Sequence, residues 1–466
     1  MKKTLFLLLL TVSTLLVSCF KDNDDSIQPA SAVEIQEFIW RGLNFFYLYK
    51  ADTPELADDA FATNDEFITF LSTFASPESF FDFLKSPQDR FSLLVSDFTE
   101  LENALAGITI NNGMEFGLIF YPDNSGNVFG YVRYILPNSD AESKGLQRGI
   151  IFNTIDGQQI NEDNFSGLLS PDTYTIGLAT FDGQNITPTG ESVELTKSEF
   201  MEDPIHVSTT LDINGQKIGY LMYNAFTNEF DAQLNSVFAQ FQSDGVTELV
   251  LDLRYNGGGS VRTAIYLASM ITGQFTGQTF FTEQWNADRQ AEFAEDGVFV
   301  SSFVNGGEAI NSLNLTTVYV LTTSKTASAS ELVINGLAPY INVVQIGDNT
   351  TGKYQASFLM YDSPNFQKST ELNPNHTYAM LPLVFQTANA DGFTDFEDGL
   401  IPDIDQIEDY SNLGILGDPA EPLLATAIQE ITGVPVPGTR IPFISLETLS
   451  ESKANSLTYQ VMVSEK

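Results

Sequence analysis

The chain has 466 residues, of which 61 are acidic and 21 basic, for a formal net charge of −40. So acidic a surface repels phosphate backbones, and no basic cluster offsets it, which argues against nucleic acid as a partner. With 43% hydrophobic residues and 37 phenylalanines the chain is not disordered by composition, and its length predicts two or three domains.

Lys2 and Lys3, the apolar run Leu5 to Val17 and the small residue Ser18 have the three parts of a secretory signal, so residues 1–18 are set apart from the fold. The run is shorter than the about 20 apolar residues that a membrane-spanning helix needs. Leu16-Val17-Ser18-Cys19 resembles the lipobox of bacterial lipoproteins. That resemblance implies lipid modification of Cys19 and anchoring to a membrane; the alternative is a free thiol after a cleaved signal. Cys19 is the sole cysteine, so no intramolecular disulfide and no cysteine metal cluster can form. Residues 19–32 read as an acidic tether. Lys21 followed by Asp22, Asp24 and Asp25 resembles the surface-export signal of some outer-membrane lipoproteins, although a solvated tether has the same composition. The expected location is the cell envelope, at the outer membrane and on its surface if the signal operates.

From residue 33 to 100 apolar residues recur at helical spacing, as in Ile35, Phe38, Ile39 and Leu43 and again in Phe67, Phe70, Leu71 and Phe74. This predicts a small helical domain whose aromatic stripe is core. Residues 101–200 change to short alternating runs between glycine and asparagine turns, the pattern of small strands. Phe116-Gly117-Leu118-Ile119-Phe120 opens this segment, and Gly145-Leu146-Gln147-Arg148-Gly149 leads later into a strand ending at Asp156-Gly157. The order resembles a PDZ domain, with Ile150 standing where protease PDZ domains usually carry Asp. The resemblance implies a carboxylate-binding loop at Phe116, Gly117 and Leu118, and a peptide added as an edge strand. From 205 to 430, β and α signals alternate, which predicts an α/β domain. Strands are expected at Ile218–Tyr223, Glu248–Leu253 and Thr317–Thr322, and helices at Phe230–Phe241 and Val261–Ile271. Residues 431–466 are left as an extension.

Two stretches carry chemistry. A buried strand runs through Asp252-Leu253-Arg254-Tyr255-Asn256 into Gly257-Gly258-Gly259, where glycine allows positive φ and lets N–H groups point at an anion. A second strand ends in Thr326-Ala327-Ser328-Ala329-Ser330-Glu331 before a helix-compatible run. A serine on such a turn can be a nucleophile whose neighbouring N–H stabilises an oxyanion, or Ser328 or Ser330 can be a helix N-cap. A serine hydroxyl needs a base. His206 and His376 have no motif around them. Lys353, at the end of Asn349-Thr350-Thr351-Gly352-Lys353, can serve if burial lowers its pKa.

The three-glycine loop after Asp-Leu-Arg, the Ala-Ser-Ala-Ser-Glu turn and the Gly-Lys pair, in this order, resemble the C-terminal processing or tail-specific proteases. The resemblance covers about residues 116 to 403 and includes Gly399-Leu400-Ile401-Pro402-Asp403. It implies a Ser-Lys serine endopeptidase with a PDZ-like domain ahead of a ClpP/crotonase-like α/β catalytic domain. It makes Ser328 the acyl-forming nucleophile, Lys353 its general base, Gly259 and Ala329 the oxyanion donors with Gly258 shaping their turn, and Glu331 and Thr350 supporting residues. Ser357 occupies a position where many relatives have glutamine, and Tyr255-Asn256 replaces Asn-Asn. The expected substrates are extended or unfolded polypeptides with apolar carboxyl-terminal tails. The rival readings are a surface lipoprotein that binds peptides with catalysis lost, and another acyl-transfer activity on the same architecture. The mechanism calls for no cofactor and no metal, and the acidic run Asp391, Asp395, Glu397 and Asp398 has no EF-hand spacing.

Overall fold

The computed structural model describes residues 29–304, 307–368, 371–434 and 446–465. The secretory segment, Cys19 and residues 20–28 of the tether lie outside the described residues. Among those described, no helix is long and apolar enough to cross a membrane.

Helix α1 (Ala32–Phe46) begins at a capping box: the Glu34 N–H donates to Ser31 Oγ, and the Ser31 N–H to the Glu34 carboxylate. It buries Ile35, Phe38, Ile39, Leu43 and Phe46, the stripe its spacing predicts. Helices α2 (Asn64–Leu71) and α3 (Pro77–Leu84) follow. These helices are too short to close a core alone, and they share one: the α1 stripe is continuous with Leu251, Leu267, Val384 and Met462 of the large α/β domain. The Phe46 ring stands 4.8 Å from that of Phe358.

The next unit is an antiparallel β-domain with its own core of Met114, Phe116, Leu118, Val132, Phe152 and Ile176. Its strands are β1 (Met114–Phe120), β2 (Val128–Ile135), β3 (Ile151–Ile155), β4 (Thr173–Phe181) and β5 (Ile186–Thr196). Phe116, Gly117 and Leu118 therefore lie inside a strand and not in a loop. The run from Met114 to Ile119 is buried throughout, so it takes an interior position in the sheet, and the preceding turn falls at Asn112-Gly113. Gly117 packs so closely on the Tyr131 ring that a Cβ there would lie 2.4 Å from it.

In the α/β domain, β6 (Ile205–Ile213), β7 (Gln216–Tyr223), α4 (Asp231–Asp244), β8 (Glu248–Asp252), β9 (Gly259–Ser260), α5 (Val261–Thr272) and β10 (Thr279–Trp285) come first. Next are β11 (Thr317–Thr322), α6 (Ala329–Leu337), β12 (Asn342–Gly347), β13 (Gln355–Ser357), β14 (Leu383–Asn389), β15 (Ile404–Asp405) and α7 (Pro422–Thr432). The segment 446–465 adds β16 (Thr448–Glu451) and β17 (Met462–Val463). The main sheet has the order β6-β7-β8-β11-β12-β15, parallel except for the β6 edge. Its central strands are uninterrupted apolar runs because both faces are covered. A second sheet has the order β9-β17-β13-β14-β10, with Gly297–Val298 at its edge.

The segment 446–465 does not end at the surface as an extension. Strand β16 pairs antiparallel with β1 of the β-domain, and β17 lies between β9 and β13, parallel to both.

Candidate active site

Strands β8, β11 and β12 are parallel neighbours, so the turns after them emerge at one end of the sheet, where open α/β sheets carry their sites. Those three turns hold the glycine loop, Ser328 and Lys353.

The glycine loop is shaped by Asn256. Its side chain donates to the Tyr223 carbonyl at 2.8 Å and accepts from the Gly258 N–H at 2.8 Å. Its backbone carbonyl receives the Ala327 N–H at 3.0 Å and the Ser330 hydroxyl at 3.1 Å, which ties the loop to the serine turn. Gly258 and Gly259 have φ of +107° and +133°, and neither could take a side chain. A Cβ on Gly258 would lie 2.9 Å from Ser328 Oγ and 2.5 Å from the Val461 carbonyl oxygen.

Below the loop, Arg254 is fully buried and fully engaged. Its guanidinium bonds Asp252 at 2.9 Å, Glu421 at 2.6 and 3.1 Å, and Glu408 at 3.2 Å. Burial alone would push the Glu408 carboxyl up, but Arg148 and Arg254 hold it down at about 2. Glu421 also caps α7 through the Leu424 N–H. The Asp-Leu-Arg signature thus anchors the glycine loop to the rest of the domain.

Ser328 occupies the N-cap position of α6 with φ +66°, ψ −116°, a conformation costly for a residue with a side chain. It is buried, and its hydroxyl has no hydrogen-bond partner. The position is that of a cap, but the hydroxyl is not spent on capping. Glu331 supplies the capping contact in the opposite sense, accepting the Ser328 N–H at 2.7 Å. Ala329 is the first residue of α6, so its N–H belongs to the helix's first-turn donors.

Glu331 joins the two turns. Its Oε2 accepts the N–H of both Ser328 and Lys353, the latter at 2.9 Å, and its Oε1 accepts the Gly352 N–H at 2.7 Å and the Thr350 hydroxyl at 2.6 Å. Burial pushes the Glu331 carboxyl up against these four bonds. Thr350 in turn accepts the Leu400 N–H at 2.7 Å. Gly352 and Gly399 lie back to back: a Cβ on the first would stand 2.1 Å from the Glu397 carbonyl, and on the second 2.0 Å from that of Thr350. This close approach explains Gly399 in the Gly-Leu-Ile-Pro-Asp run, and Asp403 completes it by accepting the Gln345 N–H at 2.8 Å.

Lys353 is 1% exposed. Burial pushes its pKa down to about 7, while the charges of Glu331 and Asp89 pull the other way. Its ammonium donates to the Gln355 carbonyl at 2.6 Å and lies 5.2 Å from the centre of the Phe91 ring. No motif in the sequence marks Asp89, Phe91 or the Gln355 carbonyl. Ser357 uses its backbone carbonyl to accept the Ser464 N–H at 2.8 Å. The histidines lie elsewhere: His376 pairs with Asp362 at 2.9 Å, and the half-buried His206 ring is tilted against that of Tyr134 with centroids 4.8 Å apart.

The Gly259 N–H donates to the Val461 carbonyl at 2.7 Å. Residues 459–461 and 463 line one wall of a cavity of about 880 Å³ whose other walls include Gly257–Gly259, Phe226, Lys325 and the β1 edge at Phe116.

Residues 217–378 match the model of "Peptidase family S41", and residues 34–93 that of "Peptidase S41 N-terminal domain". The chain is 26% identical over 274 residues to a carboxyl-terminal-processing protease of Picosynechococcus sp., covering 58% of each chain. It is 23% identical over 344 residues to a chloroplastic C-terminal processing peptidase of Tetradesmus obliquus, covering 70% of each. The match thus spans somewhat over half the length of the first relative. Among solved structures, a Bacteroides fragilis NCTC 9343 protein assigned to the S41 proteases superposes with a TM-score of 0.65 at 28% identity, over 85% of this chain and 97% of that one. The photosystem II D1 C-terminal processing protease shares the fold, with a TM-score of 0.51 at 19% identity over 85% and 100%.

Proposed function

From the matches of residues 217–378 and 34–93 to the models of peptidase family S41, we propose that the chain is an S41-type serine endopeptidase that cuts extended or unfolded polypeptides with a Ser328–Lys353 dyad. The observation that carries this reading is the pairing of an unbonded, strained serine hydroxyl with a buried lysine whose pKa is about 7, their two backbones held on one Glu331 oxygen.

Ser328 Oγ attacks the substrate carbonyl carbon as its proton passes to the neutral Lys353 amine. The N–H groups of Gly259 and Ala329 receive the developing oxyanion. The lysine then protonates the leaving amine, and a water activated by the same lysine hydrolyses the acyl-enzyme. Glu331 and Thr350 are positioning residues, and the Gln355 carbonyl orients the base in place of the family's glutamine. The catalytic domain is of the ClpP/crotonase-like kind. The β-domain is PDZ-like and takes an apolar carboxyl-terminal tail along β1. Cys19 carries the lipid that holds the enzyme to the cell envelope.

The test is hydrolysis of an unfolded reporter with an apolar tail. Wild type is expected to cut it, and Ser328→Ala and Lys353→Ala are expected to lose about 10⁴-fold or more in kcat. Equal activity in all three would end the dyad assignment. Binding of the tail with no cleavage by any of them would favour the peptide-binding alternative.

A further inference from the structure

Resting on that peptidase reading, we infer that the Val461–Met462 peptide bond is a self-processing site, and that the chain's own segment 446–465 is the enzyme's first substrate. Three features place this segment as a polypeptide substrate would lie, the first of them a ladder bond of the second. The Val461 carbonyl accepts the Gly259 N–H at 2.7 Å, and its oxygen and Ser328 Oγ both crowd the point where a Gly258 Cβ would stand. The residues after that carbonyl form β17, clamped between the glycine-loop strand β9 and the strand β13 that follows Lys353. The residues before it form β16, the edge strand paired on β1: the Phe116 carbonyl accepts the Ser452 N–H at 3.0 Å, and the Phe120 N–H donates to the Glu447 carbonyl at 3.0 Å. Edge-strand addition of this kind is how β-domains hold peptides.

The intervening chain is fixed by side chains. Arg133 and Glu451 form a buried ion pair, Lys453 binds Glu202 at 2.7 Å, and Gln460 reaches Thr351 at 3.2 Å. With the segment seated, Ser328 is fully buried, so a second polypeptide cannot reach it.

In the reaction, Ser328 Oγ bonds to the Val461 carbonyl carbon and its proton goes to Lys353 Nζ. The Val461–Met462 C–N bond breaks, and that proton passes to the Met462 nitrogen. One water then cleaves the ester, leaving a carboxylate on Val461. Met462 is fully buried in the shared core, and an ammonium created there is disfavoured, so the product leaves.

The test follows the freshly purified full chain and its Ser328→Ala variant by intact-mass spectrometry at alkaline pH, with the unfolded reporter present in a parallel sample. Wild type is expected to be converted to a species ending at Val461, with release of a peptide beginning at Met462. The conversion should be first order with a half-time independent of protein concentration, while Ser328→Ala keeps its mass. Reporter hydrolysis should show a lag of the same length. If wild type cuts the reporter without a lag while Val461–Met462 stays intact, self-processing is wrong and the peptidase reading survives. Loss of the peptide from Ser328→Ala would also overturn it, since the cut then comes from another protease. A wild type that cuts neither bond contradicts both readings.

Discussion

Two buried polar clusters lie side by side at one end of the main sheet, and they are built on opposite terms. Around Arg254 every charge has a partner: one guanidinium engages three carboxylates, each placed by a different element. Around Ser328 and Lys353 both backbone N–H groups are bonded to Glu331, while the hydroxyl has no partner and the amine donates to the Gln355 carbonyl. A satisfied cluster fixes geometry; an under-bonded one keeps reactive groups available. The first holds the loop that the second needs.

Breaking the satisfied cluster should have the largest effect. Arg254→Met leaves three carboxylates around an apolar side chain and is expected to destabilise the fold by about 3–5 kcal/mol, read as a lower urea midpoint. A midpoint unchanged from wild type would mean that the ion network is dispensable.

Changing the loop it supports should cost activity instead. In Gly259→Ala the added Cβ would stand 2.3 Å from the Phe226 carbonyl oxygen, and the φ of +133° is unsuited to alanine. Displacing that N–H is expected to lower kcat by about 10²–10³-fold. The tie between Thr350 and Glu331 should be the smaller of the activity contacts. Thr350→Val removes one of the four donors to a buried carboxylate and is expected to cost about 1–3 kcal/mol of stability with the Ser-Lys chemistry retained.

Ser328→Gly should sharpen the contrast from the other side, because it relieves the positive φ of a non-glycine residue. Activity is lost, and stability should rise, by about 1 kcal/mol. A fall in stability would mean that the serine side chain was holding the turn.

Much of the fold could be read from the chain because its signals are local. The strands Leu249–Leu251 and Val318–Leu321 are apolar runs between turn residues, and α5 and α6 follow serines at their N-caps. Ser328 and Lys353 stand out because motif and spacing mark them before any contact is known. What escaped the sequence is non-local or carried by backbone. The Gln355 carbonyl has no identity in a sequence. Phe91 and Asp89 reach Lys353 from the amino-terminal helical region, which looks self-contained in sequence but shares the large core. The short strands Thr448–Glu451 and Met462–Val463 have no stable partner except the edges they dock on, so composition alone reads them as an extension.

Lysine burial also links stability to pH. Lys353 has a pKa of about 7 in the folded chain, against about 10.4 when unfolded. Between those values the unfolded chain holds the extra proton, so its contribution to stability rises with pH; below about 7 both states hold it and the burial penalty is complete. Lys353→Met should flatten that slope.

The most direct test of the central claim is to titrate Lys353 itself by NMR of lysine labelled at the ε-carbon, using Ser328→Ala to keep the chain intact and Lys353→Met to assign the signal. A midpoint near 7 is the predicted result, and it would establish a neutral amine available as a base. A midpoint near that of a free lysine would contradict the account, because the serine would then face an ammonium that cannot accept its proton.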